Sequence, residues 1–300
     1  MDTLTLSNLL IDEIFRASGL SSEGWARRKL GGIFAPIAGR LADIGVTFDR
    51  LVRDEGFSQA AGWALTNFCK DVRAKGAEFV PKRGPLLVVS NHPGAYDALV
   101  ITSNLQRDDV KIISSDIPFL KNLPHLYQNF LFISQDARIR MSGARGAIRH
   151  LRQGGTVLLY ATGKIDPDPA TFPNPEAHID RWSTSIDLFL RTVPETQILL
   201  TIVSGVLSAK WGYSPLTWIR RQEMDKRRLA EFGQVMQQLL FPGKTYYSPQ
   251  VSFAAPFKAD DLLAATSMGG FLPEIIARGR ALLDEHRCSF GLATEGNAAT

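Results

Sequence analysis

His92 and Asp97 are the residues of this chain whose types and spacing best suit catalysis. On a regular helix, side chains five residues apart would point about 140° apart and could not meet. Pro93 and Gly94 lie between them and allow a tight turn. A carboxylate bound to one imidazole nitrogen fixes the tautomer and raises the basicity of the other nitrogen. The spacing therefore predicts a general base, or a turn in which the two side chains only cap a helix.

The segments around this pair indicate where it lies. Residues 86–90 form a short apolar run with two valines, typical of a strand buried on both faces. The apolar residues between 99 and 105 predict a short helix packed back on the sheet. His92 would then follow the carboxyl end of a buried strand, which is where open α/β sheets place their ligands.

Composition narrows the class of protein. The 300 residues are 45% hydrophobic and 21% charged, which suits a globular protein with a sizeable core. The net charge of +4 and the pI near 9.1 favour anionic partners such as phosphates, lipid headgroups or an acidic carrier protein. No nucleic-acid partner is expected, because zinc-finger spacings and RNA-binding signatures are absent. Cys69 and Cys288 are expected to be free thiols in a reducing compartment.

Hydropathy predicts no transmembrane helix, because no run of about 18 apolar residues occurs. The first residues also lack the basic segment and apolar core of a signal peptide. We therefore expect a cytoplasmic protein. A lipid substrate would require peripheral contact with a membrane, which we expect at its inner face.

The order of apolar patterns predicts three regions. Residues 1–75 have helical spacing throughout, and they form either a layer packed on the sheet, which we favour, or a membrane-docking element. Residues 76–290 alternate strands with helices, and residues 291–300 form a flexible tail. The predicted fold class is α/β, with a mixed, mostly parallel sheet flanked by helices and a helical N-terminal region.

Basic residues suggest further sites. Arg138 and Arg140 are expected to precede the helix that carries Arg145, Arg149 and Arg152, and to bind an anion. The basic, amphipathic stretch of residues 219–240 predicts a helix for a membrane or carrier protein, or an ordinary surface helix. Asp166 and Asp168 lie in a proline-rich loop without His or Glu at ligand spacing, so no metal is expected.

Asn91, His92 and Asp97, following a Leu-Val-Val strand, resemble block I of the glycerolipid acyltransferases with the HxxxxD motif. The resemblance covers roughly residues 75–260. It implies that His92 is the base, that Asp97 orients it, and that an acyl-CoA or acyl carrier protein is the co-substrate. No other cofactor is implied. The acceptor would be a lipid or phosphate-bearing molecule with a hydroxyl, such as a glycerolipid or lysophospholipid.

Three further blocks of the family are altered in this chain. Ser134 and Gln135 stand where block II has its phosphate-binding arginine. In block III, Thr162 replaces a glutamate that binds the acceptor, and Gly163 is kept. Block IV lacks its usual proline. The candidate substrate-binding residues are therefore Asn91, Gly94, Arg138, Arg140, Thr162, Gly163 and Lys164.

These observations leave three hypotheses open. The leading one is an acyltransferase in which amides near Gly94 stabilise the oxyanion. The second is a lipid- or carrier-binding protein without activity, in which the altered blocks no longer bind the acceptor. The third is a hydrolase in which His92 and Asp97 activate water, although no Gly-x-Ser-x-Gly elbow accompanies them.

Overall fold

The computed structural model describes residues 3–17, 25–115, 117–134, 136–263 and 270–292. Most of the predicted C-terminal tail, residues 293–300, lies outside these ranges, as does Gln135 of the block II segment. Among the described residues, no helix is long and apolar enough to cross a membrane.

An eight-stranded sheet forms the centre of the molecule. Its strands are β1 (Arg73–Lys75), β2 (Leu86–Ser90), β3 (Val110–Ser115), β4 (Phe130–Ile133), β5 (Thr156–Tyr160), β6 (Gln197–Ser204), β7 (Gln250–Phe253) and β8 (Phe257–Lys258). Their order is β1-β7-β6-β2-β5-β3-β4, with β8 also paired to β6. Only β7 and β8 run antiparallel to their neighbour β6, so the predicted mixed, mostly parallel sheet is confirmed.

Twelve α-helices surround the sheet in the described ranges. They are α1 (Thr3–Ala17), α2 (Trp25–Glu55), α3 (Phe57–Leu65), α4 (Asp97–Leu105), α5 (Pro124–Tyr127), α6 (Ala137–Arg152), α7 (Glu176–Ile179), α8 (Ser185–Thr192), α9 (Ala209–Gly212), α10 (Glu223–Leu240), α11 (Asp260–Leu263) and α12 (Leu272–Phe290). Short 3-10 helices cover residues 77–79, 118–122 and 215–219.

Strand β2 connects the two hydrophobic cores. All five of its residues are buried. Leu86 and Val88 join the first core, which is formed with α2, α3 and α4. Leu87 and Val89 join the second core, which is formed with α6, α8 and α12. Because side chains alternate across a strand, this pattern requires a sheet covered on both faces.

The N-terminal helices form the layer that the sequence favoured. Leu6, Leu10 and Phe15 of α1 and Ile37 and Phe48 of α2 are buried in the first core. The apolar stripes of these helices therefore face the protein interior. The predicted helical region is wrong at its end, because residues 73–75 form the edge strand β1, which pairs in parallel with β7.

Candidate active site

The turn between β2 and α4 brings His92 and Asp97 into contact. Asp97 is the first residue of α4, and its side chain is buried. His92 Nδ1 lies 2.7 Å from Asp97 Oδ2, and the Gly94 amide donates to the same oxygen at 3.1 Å. The predicted fold-back of the chain at Pro93-Gly94 is therefore present.

Tyr160 supports the pair from the neighbouring strand. In the parallel register of β2 and β5, Tyr160 lies beside Ser90, two residues before His92. Its hydroxyl donates to Asp97 Oδ1, and its ring stacks on the imidazole with centroids 4.1 Å apart. The Asp97 carboxylate thus accepts three hydrogen bonds, which hold both it and the imidazole in place.

The contact with Asp97 determines which imidazole nitrogen is free. An ionised carboxylate only accepts hydrogen bonds, so Nδ1 carries the proton, and Nε2 holds the lone pair when the ring is neutral. Nε2 has no hydrogen-bond partner in the described part of the chain, and the His92 side chain is 28% exposed. Burial lowers the pKa of His92, but the charge of Asp97 and its hydrogen bond outweigh burial and raise this pKa to about 9.

Asp166 anchors the turn from the loop after β5. Its carboxylate accepts the His92 amide at 3.0 Å and the Thr162 hydroxyl at 2.8 Å. Its own amide donates to the His92 carbonyl oxygen at 2.7 Å. His178 Nδ1 lies 3.4 Å from Asp166 Oδ1, the oxygen that accepts from Thr162. Asp166 therefore fixes the backbone at His92.

Asp168 holds the turn that follows β6. Its buried carboxylate accepts the amides of Gly205, Val206 and Leu207 at 2.8 to 2.9 Å. Burial raises the pKa of Asp168 to about 6, against the effect of these hydrogen bonds. Both aspartates of the proline-rich loop are thus used by protein donors, and no group of potential metal ligands forms among the described residues.

A family comparison gives this arrangement an assignment. The family model described as Acyltransferase matches residues 71–214. This part of the chain belongs to the acyltransferase family. The acyltransferase domain thus includes β2, the His92-Asp97 turn, β5 and β6, and it ends before α10.

Two further comparisons cover curated protein sequences and solved structures. A comparison with curated protein sequences finds no match. Among solved structures, the chain is similar to the crystal structure of the 1-acyl-sn-glycerophosphate (LPA) acyltransferase PlsC from Thermotoga maritima. The identity is 17%, the alignment covers 94% of each chain, and the TM-score is 0.45.

Several predicted substrate-binding residues serve the scaffold of the acyltransferase domain. The buried Asn91 side chain bonds both the amide and the carbonyl of Val203 at 2.9 Å, which ties β2 to β6. The Thr162 hydroxyl donates a hydrogen bond to the Asp166 carboxylate. Gly163 and Lys164 lie exposed in the same loop, beyond the end of β5. Of this group, Lys164 presents a charge to solvent near the motif.

One expectation about this site is wrong. Arg138 and Arg140 do not precede the helix; they lie in the first turn of α6, because Asp136 caps that helix by accepting the amides of Arg138 and Ile139. They follow β4, three strands from β2, which at about 4.8 Å per strand is about 14 Å away. The Gly94 amide itself donates to Asp97, so the predicted oxyanion donor near Gly94 would be another amide of the turn, and this stays a prediction.

The sequence reasoning missed three residues of the site. They are Tyr160 and Asp166, which support the His92-Asp97 pair, and Glu231 on α10. The Glu231 carboxyl packs against the Gly94 turn, since a Cβ at Gly94 would lie 3.5 Å from its Oε1. The signal for Tyr160 was the parallel pairing of two strands that end at the same sheet edge. The signal for Glu231 was an acidic residue between Ala230 and Phe232, on the apolar side of a basic helix.

Proposed function

We propose that this protein is an O-acyltransferase that moves a fatty acyl group from a thioester to the hydroxyl of a glycerolipid or lysophospholipid. The donor is an acyl-CoA or an acyl carrier protein. The observation that supports this proposal most is the 2.7 Å contact between His92 and Asp97, which leaves Nε2 without a partner among the described residues on a side chain that is 28% exposed. The family match gives the class of reaction.

In the proposed reaction, His92 Nε2 takes the proton of the acceptor hydroxyl while the hydroxyl oxygen attacks the thioester carbonyl carbon. The tetrahedral intermediate then collapses, the carbon–sulfur bond breaks, and the thiolate leaves with the proton from His92. An alcohol and a thioester thus become an ester and a thiol, without a covalent bond to the enzyme. General-base assistance of this kind is worth about 10² to 10⁴ in rate.

Asp97 remains ionised in this scheme and stabilises the imidazolium that forms. Its carboxylate is suited to this because Tyr160 and Gly94 hold it on the far side from solvent. The base must be neutral before each cycle, and the pKa of His92 is raised to about 9. The rate should therefore increase with pH until His92 is deprotonated.

The direct experiment is an acyl-transfer assay with a long-chain acyl thioester and several acceptors in parallel: glycerol-3-phosphate, lysophosphatidate and neutral lysolipids. His92→Ala is the test variant, and His125→Ala, on α5 directly before β4 and thus three strands from β2, is the matched control. We expect ester formation that His92→Ala abolishes and His125→Ala preserves. Equal activity in all three proteins would contradict the proposal.

A second candidate is a lipid- or carrier-binding protein without turnover. One observation favours it. Thr162 stands where the family has its acceptor-binding glutamate, and its hydroxyl donates to Asp166. The same assay separates the two candidates. Binding of the thioester without ester formation, or release of free fatty acid without an acceptor, would replace the transferase proposal.

We further propose peripheral contact with the inner face of a membrane. The segment between β6 and α10 exposes Tyr213, Leu216, Trp218 and Ile219, which are 56%, 62%, 74% and 71% accessible. The exposed Arg221 follows this apolar group and suits anionic headgroups. Since β6 ends at the same sheet edge as β2, the apolar group lies on the side of the molecule that carries His92.

The helix predicted for this purpose has another use. Phe232, Val235 and Met236 of α10 pack against the first core, so its apolar face points inward. Flotation with vesicles of anionic phospholipid tests the contact. Trp218→Ser with Ile219→Ser should reduce binding at least tenfold, whereas Leu188→Ser, an exposed leucine on α8, should not. Unchanged binding of the double variant would contradict this contact.

A further inference from the structure

Glu231 is a carboxyl group that the scheme above leaves unused. It lies in the middle of α10, outside the region matched by the family model. Its Oε1 is inaccessible to solvent and has no hydrogen-bond partner in the described parts of the chain. Buried polar atoms are nearly always paired in folded proteins, so such an oxygen beside a candidate active site calls for an explanation.

The position of Glu231 relates it to the base. A Cβ at Gly94 would lie 3.5 Å from both Cγ and Oε1 of Glu231, so the carboxyl packs on the turn that joins His92 to Asp97. Its charge acts on His92, whose pKa it raises, and on Tyr160. The unpaired oxygen therefore lies beside the turn that carries the proposed base.

We propose that Glu231 binds a second hydroxyl of the acceptor, adjacent to the hydroxyl that His92 deprotonates. This inference rests on the proposed acyl transfer and narrows its acceptor to molecules with two neighbouring hydroxyls. Glu231 is then a specificity-determining residue that contacts substrate.

The chemistry of the carboxyl selects a hydroxyl over other partners. Burial, and to a lesser degree Asp97, raise the pKa of Glu231 to about 8, although His92 opposes them. The group therefore exists in both protonation states near neutral pH. A phosphate or ester oxygen only accepts hydrogen bonds and would pair with the protonated form alone. A hydroxyl both donates and accepts, so it pairs with either form. The reacting hydroxyl gives its one proton to His92, so the ionised form of Glu231 finds a hydroxyl donor only if the acceptor carries a second hydroxyl.

The test compares an acceptor diol with its deoxy analogue: glycerol-3-phosphate and 3-hydroxypropyl phosphate. Sites built to bind a hydroxyl reject analogues that lack it. Wild-type protein should show a kcat/KM at least tenfold higher for the diol. Glu231→Ala should lower kcat/KM for the diol at least tenfold and leave the analogue nearly unchanged, which removes the preference. The KM for the thioester should stay constant.

Two variants guard the interpretation. Glu231→Gln has the same shape and keeps a hydrogen-bonding group, so it should retain part of the preference; it should also lower the pKa of His92, measured by NMR of the imidazole. Glu223→Gln removes an exposed carboxylate from the same helix, where it contacts Lys226, and should behave as wild type. A wild type without preference, or equal losses for both alcohols in Glu231→Ala, would overturn the proposal.

Failure of acyl transfer itself would be seen separately, as absence of product with either alcohol. In that case calorimetric titration of the two alcohols decides the role of Glu231 without turnover. Tighter binding of the diol that Glu231→Ala removes would support the site. Equal binding of the diol and its analogue would overturn it.

Discussion

Two histidines of this protein lie among oxygen partners, yet their surroundings give them opposite properties. His92 contacts the Asp97 carboxylate in the turn that follows the carboxyl end of β2. His286 of α12 is fully buried, with Nε2 2.7 Å from Ser204 Oγ and Nδ1 2.8 Å from Ser252 Oγ. Burial lowers the pKa of His286 to about 4, whereas for His92 the charge of Asp97 overcomes burial and raises the pKa to about 9.

The difference teaches that the charge of the partner and access to solvent, rather than burial alone, decide which histidine can act as a base. Ser204 donates its hydroxyl proton to Gln250, so it accepts from His286 Nε2, and Ser252 donates to Nδ1. Both nitrogens of His286 are thus used within the protein. His92 keeps one nitrogen for a ligand.

The largest expected effect comes from removing the negative charge of Asp97 beside His92. Asp97→Asn keeps the shape of the side chain but takes away the anion that raises the pKa of His92 and stabilises its protonated form. Acyl transfer should fall by about 10² to 10⁴, the range of general-base catalysis. Steady-state kinetics with a thermal melt of each variant measures this, and activity near the wild-type level would mean that the pairing is structural.

His286→Ala should have the converse effect. It leaves a cavity and the buried Ser252 hydroxyl without its partner, which should lower the free energy of unfolding by about 2 to 4 kcal/mol. Activity per folded molecule should stay within about twofold, since no described contact joins His286 to the motif. Chemical denaturation and a titration of active protein test both parts; a stable but inactive variant would remove the distinction between the two histidines.

Tyr160→Phe tests how much the hydroxyl of Tyr160 contributes to the His92-Asp97 pair. The variant retains the ring stacked on His92 and removes only the hydroxyl that donates to Asp97. A hydrogen bond to a charged group is worth about 1.5 to 3 kcal/mol, so acyl transfer should fall roughly ten- to a hundredfold. The lost bond should also lower the melting temperature by several degrees, so activity is compared at a temperature where both proteins are folded. Full activity in this variant would limit Tyr160 to packing.

The dependence of stability on pH should differ in sign between the two histidines. His286 has a folded pKa below its unfolded value of about 6.5, so the unfolded chain binds the proton more tightly, and stability is lost as pH falls from about 6.5 to about 4. For His92, with a raised folded pKa, the contribution is complete below about 6.5 and is lost as pH rises to about 9.

Each histidine contributes at most about 1.4 kcal/mol per pH unit within its window. Unfolding free energies of His286→Gln and His92→Gln, subtracted from wild type across this range, isolate the two contributions. A slope against pH of the same sign for both differences would contradict the assigned surroundings.

The parts of the structure that the sequence predicted are those with local causes. The apolar run of β2 and the Pro-Gly turn lie within one short segment, and that segment alone brings His92 to Asp97. The misplacement of Arg138 and Arg140 also had a local cause, because Asp136 is a typical N-cap residue that starts α6 at Ala137.

The missing parts depend on packing between distant segments. Tyr160 reaches Asp97 through the register of β2 with β5, and Glu231 reaches Gly94 only because the apolar face of α10 packs on the first core. The change of partners around Thr162 is of the same kind, since its bond to Asp166 requires the folded loop. No periodicity in one sequence reports such contacts.

The measurement that tests the central claim most directly is kcat/KM for acyl transfer as a function of pH, from about pH 6 to about pH 10, a range that spans the titration of histidine. If neutral His92 is the base, log kcat/KM should rise with a slope near one and level off close to pH 9. A profile that is flat, or that falls over this range, would contradict the account of His92 as a general base paired with Asp97.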